Sequence, residues 1–144
     1  MTDLTAAFGL KQLERFAGLI ARRRRTAEIY DSILLSEGIE RLSHVRDDRQ
    51  GNYHLYLVRV PGISTEQRGE IIEKMAEKGI ACNVHFKPLP MMTAYRNLGF
   101  DIKDYPNAYA QYANEITLPM HTLIDDEDAR YVAESFAAVL KECR

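Results

Sequence analysis

Gly79-Ile80-Ala81-Cys82-Asn83-Val84-His85-Phe86-Lys87-Pro88-Leu89-Pro90 is the stretch whose reading decides the fold. Gly79 is a helix stop, and the apolar run Ile80 to Val84 predicts a strand. Pro88 and Pro90 then leave the backbone few conformations, so the strand breaks into a loop running toward Tyr95. His85, Phe86 and Lys87 fall at that strand-to-loop junction, where a rigid element positions side chains that can still reach a ligand.

Just upstream, Ser64 and Gln67 have capping-box spacing and open a helix through Ile71, Ile72 and Met75. Lys74 and Lys78 suit the negative end that Gly79 closes. Before that helix, Tyr53-His54-Leu55-Tyr56-Leu57-Val58-Arg59-Val60 is the strongest strand signal, stopped by Pro61-Gly62. Apolar residues at both parities predict a central strand covered on each side. Ile39 to Leu42 reads as a short strand, and the polar run His44 to Asn52 as a loop.

At the N-terminus, Thr2 or Asp3 can cap a helix that runs without proline to about Leu34. Leu10, Leu13, Ala17, Ile20, Ala27, Tyr30 and Leu34 form its apolar face, which Arg24 interrupts; Gly18 is the weak point for a bend. Such a helix would be roughly 48 Å long, longer than a small domain is wide. Leu4, Phe8 and Phe16 widen its apolar surface beyond one stripe, so this end is expected to pack on a missing domain or a second subunit. Downstream, Thr93 to Leu98 and Asn107 to Asn114 predict helices, and Ile116 to Leu118 a strand. Asp125 caps a last helix buried through Ala129, Val132, Phe136, Val139 and Leu140.

The sum is an α/β chain: a long helix over residues 1–36, then a small domain over 37–144 with helices packed on a sheet of three to five strands. At 144 residues the chain buries enough surface to fold without a disulfide or metal. Its net charge of −2 gives no footprint for nucleic acid or an anionic membrane. No apolar run approaches a membrane span, and Cys82 and Cys143 match no paired spacing, so free thiols and a cytoplasmic setting are expected.

The run Arg22-Arg23-Arg24-Arg25 cannot form one patch, because consecutive helical residues point about 100° apart. With Glu14, Glu28 and Asp31 nearby, an ion-paired helix surface is the reading. Asp126, Glu127 and Asp128 are helix-start residues rather than a metal cluster. None of His44, His54, His85 and His121 has metal-ligand spacing. His54 is expected in the core or an interface, while His121 is open between structural and functional roles. Lys87 could form a Schiff base only if burial left its amine neutral, and no carboxylate partner or phosphate cradle accompanies it. A solvated or substrate-facing Lys87 is the better reading. On the residues alone, this is an α/β domain with one candidate ligand loop.

Four segments together resemble the C-terminal part of nucleotide-sugar aminotransferases of the DegT/StrS type. They are Met1-Thr2-Asp3 through Leu13 to the arginine run and Tyr30; Tyr53 to Val60; Val84-His85-Phe86-Lys87-Pro88-Leu89-Pro90 with Tyr95; and Glu115-Ile116-Thr117-Leu118-Pro119-Met120-His121. The resemblance covers essentially the whole chain in order. It implies the small domain of fold-type I pyridoxal-phosphate (PLP) enzymes, in which a much larger N-terminal domain carries the Schiff-base lysine, the aspartate facing the pyridine nitrogen and most phosphate contacts. Met1 would then be an internal methionine, since the family has an Asn-x-Arg segment before it.

The resemblance further implies a homodimer, PLP in the parent enzyme, and a sugar-nucleotide substrate faced by His85, with Phe86 and Lys87 beside it. Many members have Tyr at the position of Phe86 and His at that of Pro90, so sugar preference does not carry over. The expectation is a part that binds no cofactor by itself and is inactive in isolation, from an enzyme serving cell-surface polysaccharide or amino-sugar biosynthesis. Two alternatives stand beside it: a non-enzymatic α/β binding or dimerisation module, and a free-standing sugar-nucleotide binder.

Overall fold

The computed structural model describes residues 1–143. Helix α1 spans Asp3–Leu34 without a break at Gly18, with Thr2 as N-cap accepting from the Thr5 N–H. A 3-10 turn over Leu35–Glu37 and left-handed Gly38 reverse the chain into β1, Glu40–Arg41. The segment expected as loop carries a small hairpin, β2 (Val45–Arg46) paired with β3 (Arg49–Gln50). Strand β4 is Tyr56–Arg59, and α2, Thr65–Glu77, starts on the complete Ser64–Gln67 capping box. Helices α3 (Thr93–Asn97) and α4 (Pro106–Ala113) precede β5, Glu115–Leu118, and α5 is Asp126–Cys143. Asp125 caps α5 by accepting the Asp128 N–H at 2.8 Å.

The main sheet has the order β1-β4-β5, all antiparallel. Its register places Tyr56 opposite Leu118 and Val58 opposite Ile116, and it places Leu57 opposite Thr117 and Arg59 opposite Glu115. Paired residues share a face and alternate residues do not. The first four side chains therefore form the core face, where they meet Tyr30 and Leu34 of α1, Ile71 and Met75 of α2, and Phe136 and Leu140 of α5, all fully buried. Glu115 and Thr117 stand on the opposite face.

The expected strand over Ile80 to Val84 does not form. The Ile80 N–H still donates to Met75 O at 3.0 Å, so this buried residue closes the end of α2 rather than opening a strand. Only Asn83 pairs with β5, exchanging both backbone hydrogen bonds with Thr117 at 3.1 and 2.7 Å. Strand β4 is also shorter than expected: His54 lies before it and is exposed, which excludes the core from its two expected settings, core or interface. Cover is complete on the core face of β4, whereas Leu57 and Arg59 are only half-buried.

Only the last third of α1 is buried, through Thr26, Ala27, Ile29, Tyr30 and Leu34. Tyr30 packs edge-on against Tyr56, and its hydroxyl donates to Pro119 O at 2.8 Å. The Tyr56 hydroxyl donates to Asp31 Oδ1 at 2.7 Å, and Arg41 Nε stands 2.6 Å from the same oxygen as an ion pair without hydrogen-bond geometry. The arginine run is a helix surface, but its partners differ from those expected. Arg25 grips Asp126 at 2.8 and 3.0 Å and Arg22 donates to Ile124 O, while Arg24 is exposed. Glu14 pairs instead with Lys11. The first half of α1 leaves Leu4, Phe8, Leu13 and Phe16 uncovered.

Candidate functional site

Strand β5 builds the site from its non-core face. Glu115 and Thr117 are two residues apart, so both side chains project to the side where the chain passes after α2. The Asn83–Thr117 bridge brings that chain alongside, and the next residues turn away through a cis His85–Phe86 peptide. The His85 backbone N–H donates to Glu115 Oε2 at 2.8 Å, and His85 Nδ1 lies 2.9 Å from Thr117 Oγ1. The Thr117 hydroxyl donates in turn to Glu115 Oε1. One carboxylate thus holds the main chain of His85 directly and its ring through an intermediate hydroxyl.

Glu115 is only 1% exposed. Burial pushes its carboxyl above the usual range; the Thr117 hydroxyl, the His85 N–H and the charges of His85 and Arg68 oppose that rise. Arg68 is buried behind the site, with its guanidinium 4.5 Å from the Tyr112 ring centroid and a hydrogen bond to Tyr112 O.

The three site residues chosen from the sequence lie together but differ in environment. His85 is half-buried, and Phe86 stands edge-on to its ring at 4.5 Å while remaining 73% exposed. Lys87 is exposed and makes no hydrogen bond or ion pair among the described residues. It borders a cavity of about 510 Å³ with Met91, Arg96, Phe100 and Asp101. A second recess of about 350 Å³, lined by Leu89, Tyr95, Phe100 and Tyr105, shares Pro90 and Phe100 with the first. Pro90 borders both and Pro88 only the second, at a 3-10 turn over Leu89–Met91. Cationic and aromatic side chains around one opening can meet an anionic group and a ring together.

Sequence reasoning missed Glu115 and Thr117 as members of this site. The available signal was an acidic residue opening an otherwise β-branched and apolar strand, with a hydroxyl two positions on. His121 is exposed, and His44 stacks on Tyr53 at 4.8 Å away from the site. Among the described residues no group of His, Cys, Asp and Glu could hold a metal ion, and no helix is long and apolar enough to cross a membrane. Cys82 and Cys143 are both free, and burial pushes the Cys82 thiol up to about 12.

The residues of this chain do not fit PLP. A Schiff-base lysine needs a desolvated amine, yet no lysine here is buried. Lys74, the one half-buried lysine, is ion-paired to Glu70 and Glu142.

A family model described as DegT/DnrJ/EryC1/StrS aminotransferase matches residues 1–137. A putative sugar aminotransferase from Streptococcus pneumoniae, solved in its PLP form, is 46% identical with a TM-score of 0.96 over 100% of this chain and 37% of that one. The spore coat polysaccharide biosynthesis protein SpsC of Bacillus subtilis is 30% identical over 98% of this chain and 37% of its own length. The dTDP-4-dehydro-2,3,6-trideoxy-D-glucose 4-aminotransferase of Saccharopolyspora spinosa is 31% identical over 93% and 33%. The chain therefore spans about a third of the length of these relatives. Its long helix followed by a small sheet with packed helices is the architecture expected of the small domain of fold-type I PLP aminotransferases. By sequence and by fold, the chain belongs to the DegT/DnrJ/EryC1/StrS aminotransferase family.

Proposed function

We propose that this chain is the small-domain part of a sugar aminotransferase that moves an amino group from an amino-acid donor to a keto-sugar nucleotide. The observation that carries the proposal is the match along the whole chain to proteins named for sugar amination and polysaccharide synthesis. PLP supplies the amino-transfer chemistry in the complete enzyme. This chain's part is to close over the substrate, with His85 and Phe86 against the sugar and Lys87 toward an anionic group. The exposed Lys87 beside Arg96 and Phe100 supports that placement. The complete enzyme is proposed to be a cytoplasmic homodimer in cell-surface polysaccharide or amino-sugar biosynthesis. The uncovered apolar half of α1 supports a contact with a larger domain or a second subunit.

Taken alone, the chain is proposed to be inactive, for want of a desolvated lysine. Detectable transamination by the purified 144-residue chain would overturn that. The activity itself is tested by a chimera in which this chain replaces the matching part of the Streptococcus pneumoniae relative. The expected result is PLP-dependent amination of a keto-sugar nucleotide with glutamate as donor. A chimera that folds and binds PLP but turns over no keto-sugar nucleotide would refute the reading. The DNA upstream of the Met1 codon is a second check. A reading frame continuing back to a lysine-bearing domain supports the enzyme, whereas a start signal at Met1 favours a non-enzymatic dimerisation module, to which the same apolar helix end would be suited.

A further inference from the structure

We propose that Glu115 and Thr117 are positioning residues that hold the His85 imidazole as its Nδ1–H tautomer, leaving Nε2 as a bare acceptor for a ligand hydroxyl. The ligand half rests on the substrate-facing reading of His85; the tautomer half does not.

The argument is a count of protons. The carboxylate of Glu115 only accepts, and it takes the His85 backbone N–H at Oε2 and the Thr117 hydroxyl proton at Oε1. Thr117 has one hydroxyl proton and has given it away. Its remaining contact, Nδ1 of His85 at 2.9 Å, must therefore be one in which Oγ1 accepts and Nδ1 donates. A neutral imidazole carries one proton, so Nε2 has none. No group among the described residues bonds Nε2, and His85 is half-buried at the loop surface. Free histidine in water favours the opposite tautomer, so the fold selects the minor form.

Burial raises the Glu115 carboxyl, so the proton count applies at a pH above its titration, where three features hold the carboxylate form. Two donors converge on its oxygens, and the positive charge of Arg68 on α2 favours ionisation. The main-chain bond to Oε2 also fixes where the His85 backbone sits, so the same carboxylate governs ring placement and ring tautomer. A bare Nε2 selects a hydrogen-bond donor as ligand, and a sugar hydroxyl is such a donor. Phe86 standing edge-on to the ring leaves the apolar face a sugar can lie against.

The tautomer is read directly from long-range proton–nitrogen correlation spectra of the 15N-labelled 144-residue chain, at a pH where the ring is neutral. His85 is assigned by comparison with His85→Gln. The expected spectrum has the proton on Nδ1. Thr117→Val, which keeps the shape and removes the acceptor, should move it to Nε2, and Thr117→Ser should keep it on Nδ1. A proton on Nε2 in the native chain, or one that stays on Nδ1 in Thr117→Val, overturns the proposal. Should the valine variant fail to fold, the native and serine spectra still decide. In the chimera, Thr117→Val should raise the KM for the keto-sugar nucleotide about five- to tenfold, the value of one hydrogen bond, with the PLP absorbance unchanged. An unchanged KM removes the ligand half. An inactive chimera counts against the enzyme reading alone, since the spectra stand without it.

Discussion

Tyr30→Phe measures what anchors α1 to the body of the fold. Tyr30 is fully buried, and its hydroxyl donates to Pro119 O at 2.8 Å across 89 residues of chain. The ring stays in place as phenylalanine, edge-on to Tyr56, so packing is unchanged to first order. What is lost is one hydrogen bond, worth about 1 kcal/mol net, plus part of the cost of leaving a half-buried carbonyl without a donor. A loss of about 1.5 kcal/mol follows, or about 5 °C in Tm for a chain of this size. Tyr131→Phe is the matched control. Its hydroxyl also donates to a main-chain carbonyl, Lys78 O at 3.1 Å, but the residue is 52% exposed and water can replace the bond. Its expected cost is below about 0.5 kcal/mol. Urea unfolding of both variants gives the comparison, with equal m-values as the check that the unfolding reaction is the same. Equal losses in the two variants would refute the argument that burial sets the worth of the bond.

Gly79→Ala should cost about 1 kcal/mol, because φ is +76° and no neighbouring atom would meet the added Cβ, so the penalty is conformational alone; Gly79→Asn should cost less by thermal unfolding. Ser64→Ala removes one half of the α2 capping box and should cost about 1 kcal/mol by the same measurement. The raised Glu115 carboxyl makes stability depend on pH. Its contribution is fully present below the unfolded carboxyl value and is lost as pH rises through the higher folded value, so Glu115→Gln should flatten that part of the stability profile in urea titrations at stepped pH.

The helices were legible because their ends carry chemistry in sequence: Thr2 before α1, the Ser64–Gln67 box, Gly79 after α2 and Asp125 before α5. The strands were less so, since apolar content records burial rather than pairing. Ile80 is apolar because it lies beneath the end of α2, and Tyr53 because it is buried beside His44 before β4 begins. The β2–β3 hairpin has exposed residues throughout and so left no apolar pattern to find. For the site, His85, Phe86 and Lys87 were visible from their junction and their resemblance. Glu115 and Thr117 reach His85 only through pairing across some thirty residues of chain, a relation that no local pattern encodes.

The alternation along β5 has a consequence for folding fidelity. If β5 slid past β4 by one residue, Glu115 and Thr117 would enter the apolar layer against Tyr56 and Val58, and Ile116 and Leu118 would face out. A carboxylate stranded among tyrosine, valine and phenylalanine would lose both of its hydrogen-bond donors and cost several kcal/mol. The polar pair beneath His85 thus also acts as a lock on strand alignment, penalising the misaligned sheet in a way that an all-apolar β5 could not.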